Sequence, residues 1–125
     1  MLETVEQSTR PRVAWSVIWL HGLGADGHDF APIVPELLRA DWPGIRFVFP
    51  HAPVRPVTIN NGYQMRAWYD IIGIDRRSAE DFLGIAASAE AIGDLITAFS
   101  ANKLPNSLED PRYFNIKMMQ RLRLS

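Results

Sequence analysis

The hydrophobic positions of this chain first form two short runs, each interrupted by one polar residue, Ser16 in the first and Arg46 in the second. Residues 13–20 are otherwise apolar and rich in β-branched side chains up to Gly22, and residues 45–49 form a second run that stops at Pro50. Such runs are typical of strands buried on both faces. Between them, apolar residues recur at helical spacing, and Pro35 marks the expected start of a helix over residues 35–40, because proline is tolerated in a first turn. Strand, helix and strand with short connections predict a parallel βαβ crossover and an α/β fold.

The segment after the second run is too rich in proline for a central strand. It contains Asn61-Gly62 between the apolar stretches 57–59 and 63–65. Asn-Gly in that setting is the strongest short hairpin signal. We therefore predict a small hairpin within residues 54–69, at the end of the sheet.

The clearest helical pattern begins at Ser78. Ser78 is a suitable N-cap, and acidic residues follow it in the first turn. Six apolar residues then recur at spacings of three and four: Phe82, Ile85, Ala89, Ile92, Ile96 and Phe99. This spacing predicts a helix of about 20 residues whose apolar stripe packs on a face of the sheet. A coiled-coil partner for the stripe is the alternative.

Composition and charge exclude several classes of function. The formal net charge of −1 argues against nucleic acid as a main partner. The absence of cysteine excludes disulfides and thiolate metal sites, and the spacing of the three histidines predicts no metal site. The first residues are acidic and show no signal-peptide pattern, and no apolar run approaches the roughly 18 residues of a membrane span. We therefore expect a cytoplasmic protein without a membrane span.

The character of the chain changes near residue 100. Lys103 and Lys117 are its two lysines, and glycine is absent after Gly93. Residues 1–12 are polar and are interpreted as a lead-in with room for a short edge strand. We predict that residues 1–100 form the N-terminal part of an α/β domain and that residues 101–125 are a divergent, loosely packed tail.

Three segments, in this order and at this spacing, carry a resemblance to a known family. They are Leu-His-Gly-Leu-Gly-Ala-Asp-Gly at 20–27, Phe-Pro-His-Ala-Pro at 49–53 and Ala-Trp-Tyr-Asp-Ile at 67–71. Together they closely resemble the small carboxylesterase, lysophospholipase and acyl-protein thioesterase family of α/β-hydrolases, over residues 12–98. The resemblance implies a mostly parallel sheet flanked by helices in three layers, truncated here before the nucleophile elbow. It also implies hydrolysis of small acyl esters or thioesters by serine attack, through an acyl-enzyme and without a cofactor.

The same resemblance assigns candidate site residues. In the family, the leucine of the His-Gly-Leu-Gly segment donates its backbone N–H to the oxyanion, which assigns that role to Leu23 between Gly22 and Gly24. A glycine-rich turn after an apolar strand is where hydrolases place such donors. The matching tryptophan lines the acyl pocket, which makes Trp68 a substrate-binding candidate. Packing in the core or under a lid is the alternative for Trp68.

The residues of a catalytic triad are missing from the 125 residues. No serine has glycine two positions before and two after it, cysteine is absent, and the last histidine is His51. In α/β-hydrolases the base histidine follows the serine in chain order. We therefore expect His21 to order its loop through a ring hydrogen bond, His51 to be structural, and Asp70 to be solvated or to cap a loop.

Two functions follow as expectations. The first is an oxyanion-loop portion of an ester or thioester hydrolase that does not itself turn over substrate. The second is a non-catalytic binding or interaction module, in which an exposed sheet edge pairs with another copy.

Overall fold

The computed structural model describes residues 1–75 and 79–100. Its main sheet has three strands in the order β1-β3-β2: β1 (Thr4–Ser8), β2 (Trp15–Ile18) and β3 (Ile45–Pro50). β2 and β3 are parallel, with Trp15 opposite Ile45. β1 is antiparallel to β3, with Thr4 opposite Pro50. The predicted parallel pair is confirmed, and so is the short edge strand in the lead-in.

The central strand β3 is buried along its whole length. Phe47 and Phe49 on one of its faces pack with Val34 of the crossover in the main hydrophobic cluster. Because side chains alternate across a strand, Val48 faces the other side and is fully buried there. Burial on both faces explains why β3 is apolar at every position except Arg46, rather than alternating between apolar and polar residues.

The crossover between β2 and β3 is shorter than predicted. A 3₁₀ turn (Ala31–Ile33) leads into α1 (Val34–Leu37), and Leu38 is already extended, with ψ of 146°. The prediction of a helix over residues 35–40 was therefore wrong beyond Leu37. Pro32 and Pro35 each lie in a first turn, and each removes a backbone donor. The apolar spacing is helical, but the two prolines divide it into two short pieces.

The predicted hairpin is confirmed. β4 (Val54–Val57) and β5 (Tyr63–Arg66) form a separate antiparallel pair, with Val57 opposite Tyr63. The loop between them places Asn61 and Gly62 at φ of 59° and 75°, the left-handed region that these two residue types tolerate. Pro56 is accommodated because β4 pairs on one side only in the described sheet.

The long helix α2 (Phe82–Ser100) is confirmed as a helix, but its predicted buried face is wrong. Phe82 and Ile85 are 75% and 37% exposed, whereas Gly84 and Ser88 are buried. The Ser88 hydroxyl donates to the Trp68 carbonyl, so the helix approaches the backbone after β5 closely. Such a close approach of helix and backbone leaves room only for small side chains at the start of α2. The inward face there is therefore displaced by one residue from the predicted apolar stripe.

By length and composition, α2 is the one helix in the described residues that could cross a bilayer. The core helices of water-soluble proteins, which are mostly buried, pass the same test, whereas 17% of the apolar window of α2 is buried. Here α2 carries Glu90 and Asp94 on exposed positions and contacts β2. We interpret it as a helix packed on the sheet.

The start of α2 is capped by Asp81. Its Oδ1 accepts the Gly84 N–H at 2.9 Å, as an N-cap does, and its Oδ2 accepts the Asp70 N–H at 2.8 Å. The Asp70 and Gly84 N–H groups hold the pKa of the Asp81 carboxyl below its usual value. The predicted cap, Ser78, lies outside the described residues. Asp81 thus joins α2 to the segment that follows the hairpin.

Acidification is expected to loosen this junction. Because the folded pKa of Asp81 is lowered, its stabilising effect is present above the unfolded value of about 3.9 and is lost as the pH falls through the folded pKa. Asp81→Asn keeps one acceptor but cannot accept both N–H groups. It should lower the Tm at neutral pH and flatten the acid dependence, whereas Glu90→Gln on the exposed face of α2 should change neither. Thermal unfolding at a series of pH values tests this, and an unchanged acid dependence in Asp81→Asn would contradict it.

Candidate active site

The candidate site begins where the chain leaves β2. The Trp19 N–H still donates to the Val48 carbonyl at 2.9 Å, and the chain then turns at His21, which is only 4% exposed. The Nε2 atom of His21 accepts the Ala52 N–H at 3.0 Å, and its Nδ1 atom lies 2.7 Å from the Gly22 carbonyl oxygen. The predicted ring hydrogen bond of His21 is confirmed. It ties the loop after β2 to the chain just beyond β3.

The glycine turn is fixed on both sides of Leu23. Gly24 has φ of 77°, and its N–H donates to the Arg66 carbonyl of β5 at 2.9 Å. The Ala25 N–H donates to the Gly22 carbonyl at 3.2 Å. Leu23 lies at the tip and is 44% exposed. Among the described residues, no group accepts a hydrogen bond from the Leu23 N–H.

The second half of the loop lies against the end of β3. The Gly27 N–H donates to Nδ1 of His51 at 3.0 Å. A Cβ atom on Gly27 would lie 2.4 Å from the Phe49 carbonyl oxygen, so this position has room only for glycine. The carboxylate of Asp26 accepts the His28 N–H at 2.7 Å, and this bond lowers the pKa of Asp26. This bond to the loop fits the prediction that His51 is structural.

Trp68 completes one wall of the site. Its Nε1–H donates to the His21 carbonyl at 2.9 Å, and the two rings lie 5.3 Å apart between centroids. A cavity of about 130 Å³ lies beside it, lined by His21, Gly22, Leu23, Ala67, Trp68, Tyr69 and Ile71. The structure therefore brings Gly22, Leu23 and Trp68 together. Gly24, the other predicted substrate-binding glycine, is not among the lining residues, and its N–H binds the Arg66 carbonyl of β5.

A larger groove of about 470 Å³ lies at the other end of the parallel strands. Its lining is almost entirely apolar: Trp15, Val17, Leu37, Trp42, Pro43, Ile45 and Phe47. A binding site for a reacting ligand needs a few polar groups that fix its orientation. The smaller cavity has a backbone donor on its wall, and we take it as the candidate site.

Two further polar groups support the site without lining it. The Arg66 guanidinium donates to the Ala52 carbonyl at 2.7 Å, which holds the segment whose N–H binds His21. The carboxylate of Asp70 accepts both the N–H and the hydroxyl of Thr58, at 2.7 and 2.6 Å, which confirms its predicted loop-capping role. Sequence reasoning missed Arg66, although it directly precedes the Ala67-Trp68 motif. In the described part of the chain, no three His, Asp or Glu side chains come together as metal ligands.

Comparison with known proteins identifies the family. The family model for Phospholipase/Carboxylesterase matches residues 2–109. The chain belongs to this family. Acyl-protein thioesterase 1 of Schizosaccharomyces pombe is 40% identical over 91 residues, a match that covers 73% of this chain and 40% of the relative. Acyl-protein thioesterase 1 of Cryptococcus neoformans var. neoformans serotype D is 33% identical over 95 residues, with 74% and 40% covered.

A solved structure agrees with the sequence matches. The crystal structure of Zea mays acyl-protein thioesterase 2 matches with a TM-score of 0.62 and 29% identity, over 74% of this chain and 40% of that one. The predicted resemblance and the predicted fold class are thus confirmed, and the described residues form part of an α/β-hydrolase domain. This Phospholipase/Carboxylesterase family member spans about 40% of the length of the relatives it matches. The predicted boundary at residue 100 and the predicted tail over 101–125 lie at and beyond the end of the described residues.

Proposed function

We propose that this chain carries the oxyanion-binding loop of an ester or thioester hydrolase and does not itself turn over substrate. The observation that carries the proposal is the position of Leu23. Its N–H makes no hydrogen bond among the described residues, and Leu23 shares a cavity wall with Trp68. An unpaired backbone donor beside an apolar wall suits an acyl group whose carbonyl oxygen becomes negative.

The chemistry of acyl transfer gives each group a role. Attack on the carbonyl carbon creates a tetrahedral intermediate, and its oxygen anion would accept the Leu23 N–H while the acyl chain lies against Trp68. In α/β-hydrolases the second donor is the N–H of the residue after the nucleophile. The sequence contains no G-x-S-x-G elbow and no cysteine. In this proposal the 125 residues supply one donor and part of an acyl pocket, and the nucleophile, acid and base of the family reaction are not among them.

The proposed ligand is a small acyl ester or thioester, and the thioester is favoured because the relatives are named acyl-protein thioesterases. The reaction of the family type needs no cofactor. The absence of cysteine fits a reducing compartment, and a cytoplasmic location is part of the proposal.

The donor role is tested by titrating the ¹⁵N-labelled full chain with butylphosphonate. Its anionic oxygens stand in for the oxyanion, and its alkyl chain stands in for the acyl group. We expect a downfield shift of the Leu23 amide proton and a perturbed Trp68 indole signal. With a single backbone donor, the affinity should be in the millimolar range, which corresponds to about 4 kcal/mol.

Two controls make the titration specific. Inorganic phosphate lacks the alkyl chain and should bind more weakly than butylphosphonate. The Trp68→Ala substitution should weaken the binding of butylphosphonate but not that of phosphate. The largest shifts at Trp15 or Trp42, which line the apolar groove, would contradict the proposal.

The second candidate is a non-catalytic module that pairs with a second copy of this chain. β2 forms one edge of the described sheet, and Phe82 and Leu83 at the start of α2 are 75% and 86% exposed. Edge strands can pair with another chain, and exposed apolar residues such as Phe82 and Leu83 would add buried area if the pairing covered them. A concentration-dependent dimer in sedimentation velocity, together with no shift at Leu23 in the titration, would favour this candidate over the first.

A further inference from the structure

Two imidazole rings hold the candidate oxyanion loop, one at each end. At its start, Nε2 of His21 accepts the Ala52 N–H at 3.0 Å. At its end, Nδ1 of His51 accepts the Gly27 N–H, also at 3.0 Å. In both pairs the loop, residues 21–27, is joined to residues 51 and 52 directly after β3. The tip of the loop, Leu23, lies between these two attachments.

These bonds fix the protonation of both rings. A ring nitrogen that accepts an amide N–H carries no proton, and a neutral imidazole carries its proton on the other nitrogen. His21 is therefore neutral with its proton on Nδ1, which donates to the Gly22 carbonyl at 2.7 Å. The bond from the Gly27 N–H to Nδ1 assigns His51 a neutral ring with its proton on Nε2. The two histidines are thus opposite tautomers.

A second proton on either ring would remove the acceptor. The protonated nitrogen would then face another N–H donor, and the attachment would be lost. The charged and titratable groups around the two rings are the Arg66 guanidinium, which is bound to the Ala52 carbonyl, the Asp26 carboxylate and His28, whose ring lies 5.6 Å from that of His51. Loop attachment is therefore coupled to the proton occupancy of two rings that the chemistry of acyl transfer does not use.

We propose that His21 and His51 are positioning residues that hold the oxyanion loop as neutral rings of opposite tautomer, and that protonation of either ring releases the end it holds. The role of the released loop rests on the proposed function, whereas the attachment itself does not. His21 controls the junction with Ala52, and His51 controls the junction with Gly27.

The test is an NMR experiment on the full chain. Long-range ¹H–¹⁵N correlations report the tautomer of each ring, and amide-exchange protection reports the two attachments. Protection at Gly27 and Ala52 is followed between about pH 8 and about pH 5. The Val17 amide in the sheet serves as the internal reference.

Three variants separate the two rings. His51→Asn places an amide oxygen near the position of Nδ1, and His21→Gln places one near the position of Nε2. Each variant keeps an acceptor that does not titrate. His28→Asn removes the neighbouring ring and is the matched control, since its pH response should remain.

We expect opposite tautomers at the upper end of the pH range. On acidification, protection at Gly27 and Ala52 should fall about fivefold, the factor that corresponds to one hydrogen bond of about 1 kcal/mol, while protection at Val17 stays constant. His51→Asn should abolish the change at Gly27 only, and His21→Gln should abolish the change at Ala52 only.

Identical tautomers would overturn the proposal, as would protection that does not depend on pH. A parallel loss at Val17 in the wild type would also overturn it, because it would indicate global unfolding. The tautomers and the pH response of the wild type test the proposal even if a variant does not fold. If the tautomers are opposite but butylphosphonate causes no shift at Leu23, the proposed attachment of the loop stands and the proposed oxyanion role is refuted.

Discussion

Replacing Gly27 with alanine is expected to destabilise the fold by about 3 kcal/mol, the upper end of the usual cost of overpacking. The new Cβ would lie 2.4 Å from the Phe49 carbonyl oxygen and 3.1 Å from the His51 ring. Phe49 belongs to the fully buried central strand, so this oxygen cannot move away without disturbing the sheet. Any shift of the loop also lengthens the bond from the Gly27 N–H to His51.

Gly22→Ala is the matched control in the same loop. A Cβ on Gly22 would meet no atom within 4 Å, and its φ is not in the left-handed region. Its effect should stay within about 0.5 kcal/mol, as for ordinary surface substitutions. Urea unfolding followed by tryptophan fluorescence measures both variants. Equal stability of the two would contradict the close packing of the loop on β3.

The sheet could be predicted from the sequence because burial leaves a direct pattern. β2 and β3 are short, largely apolar runs between turn signals, and a run of this length is typical of a buried strand. The hairpin was predictable for another local reason, since Asn61 and Gly62 tolerate the left-handed backbone that its loop requires. Both features depend on residues that are close together in the chain.

The two errors concern features that depend on neighbouring elements. Helical spacing alone does not show that Pro32 and Pro35 divide the crossover into a 3₁₀ turn and one helical turn. In α2, the pattern marks the large side chains, but the inward face is set by how closely the helix approaches Trp68, and this selects Gly84 and Ser88. Periodicity identifies the helix, whereas the packing distance selects its buried face.

The candidate site also combines features that the sequence predicts with features that only the structure shows. Leu23 and Trp68 are distant in the chain, and in the sequence only the family resemblance places them in one site. The structure supplies the physical link, a hydrogen bond from the Trp68 indole to the His21 carbonyl. The tautomers of His21 and His51 could not be predicted, because they depend on which backbone N–H meets which ring nitrogen.

The largest expected effect is the absence of catalysis. An otherwise intact hydrolase site without its triad retains roughly a 10³–10⁴-fold advantage over water. The loss of one oxyanion donor lowers the rate by a further factor of about 10²–10³. Here the sequence lacks the nucleophile elbow, which supplies both the nucleophile and the second donor. Hydrolysis of an activated ester by this chain should therefore be close to the rate in buffer.

The central proposal is that these 125 residues carry the oxyanion loop without a nucleophile of their own. It is tested most directly by p-nitrophenyl butyrate hydrolysis with the purified full chain, with and without a serine-directed fluorophosphonate, followed by mass spectrometry. We predict a rate equal to that of buffer, no effect of the inhibitor and no labelled serine. A measurable rate that is lost on stoichiometric labelling of Ser78, Ser88, Ser100 or Ser107 would contradict the account, because it would show a nucleophile outside the elbow.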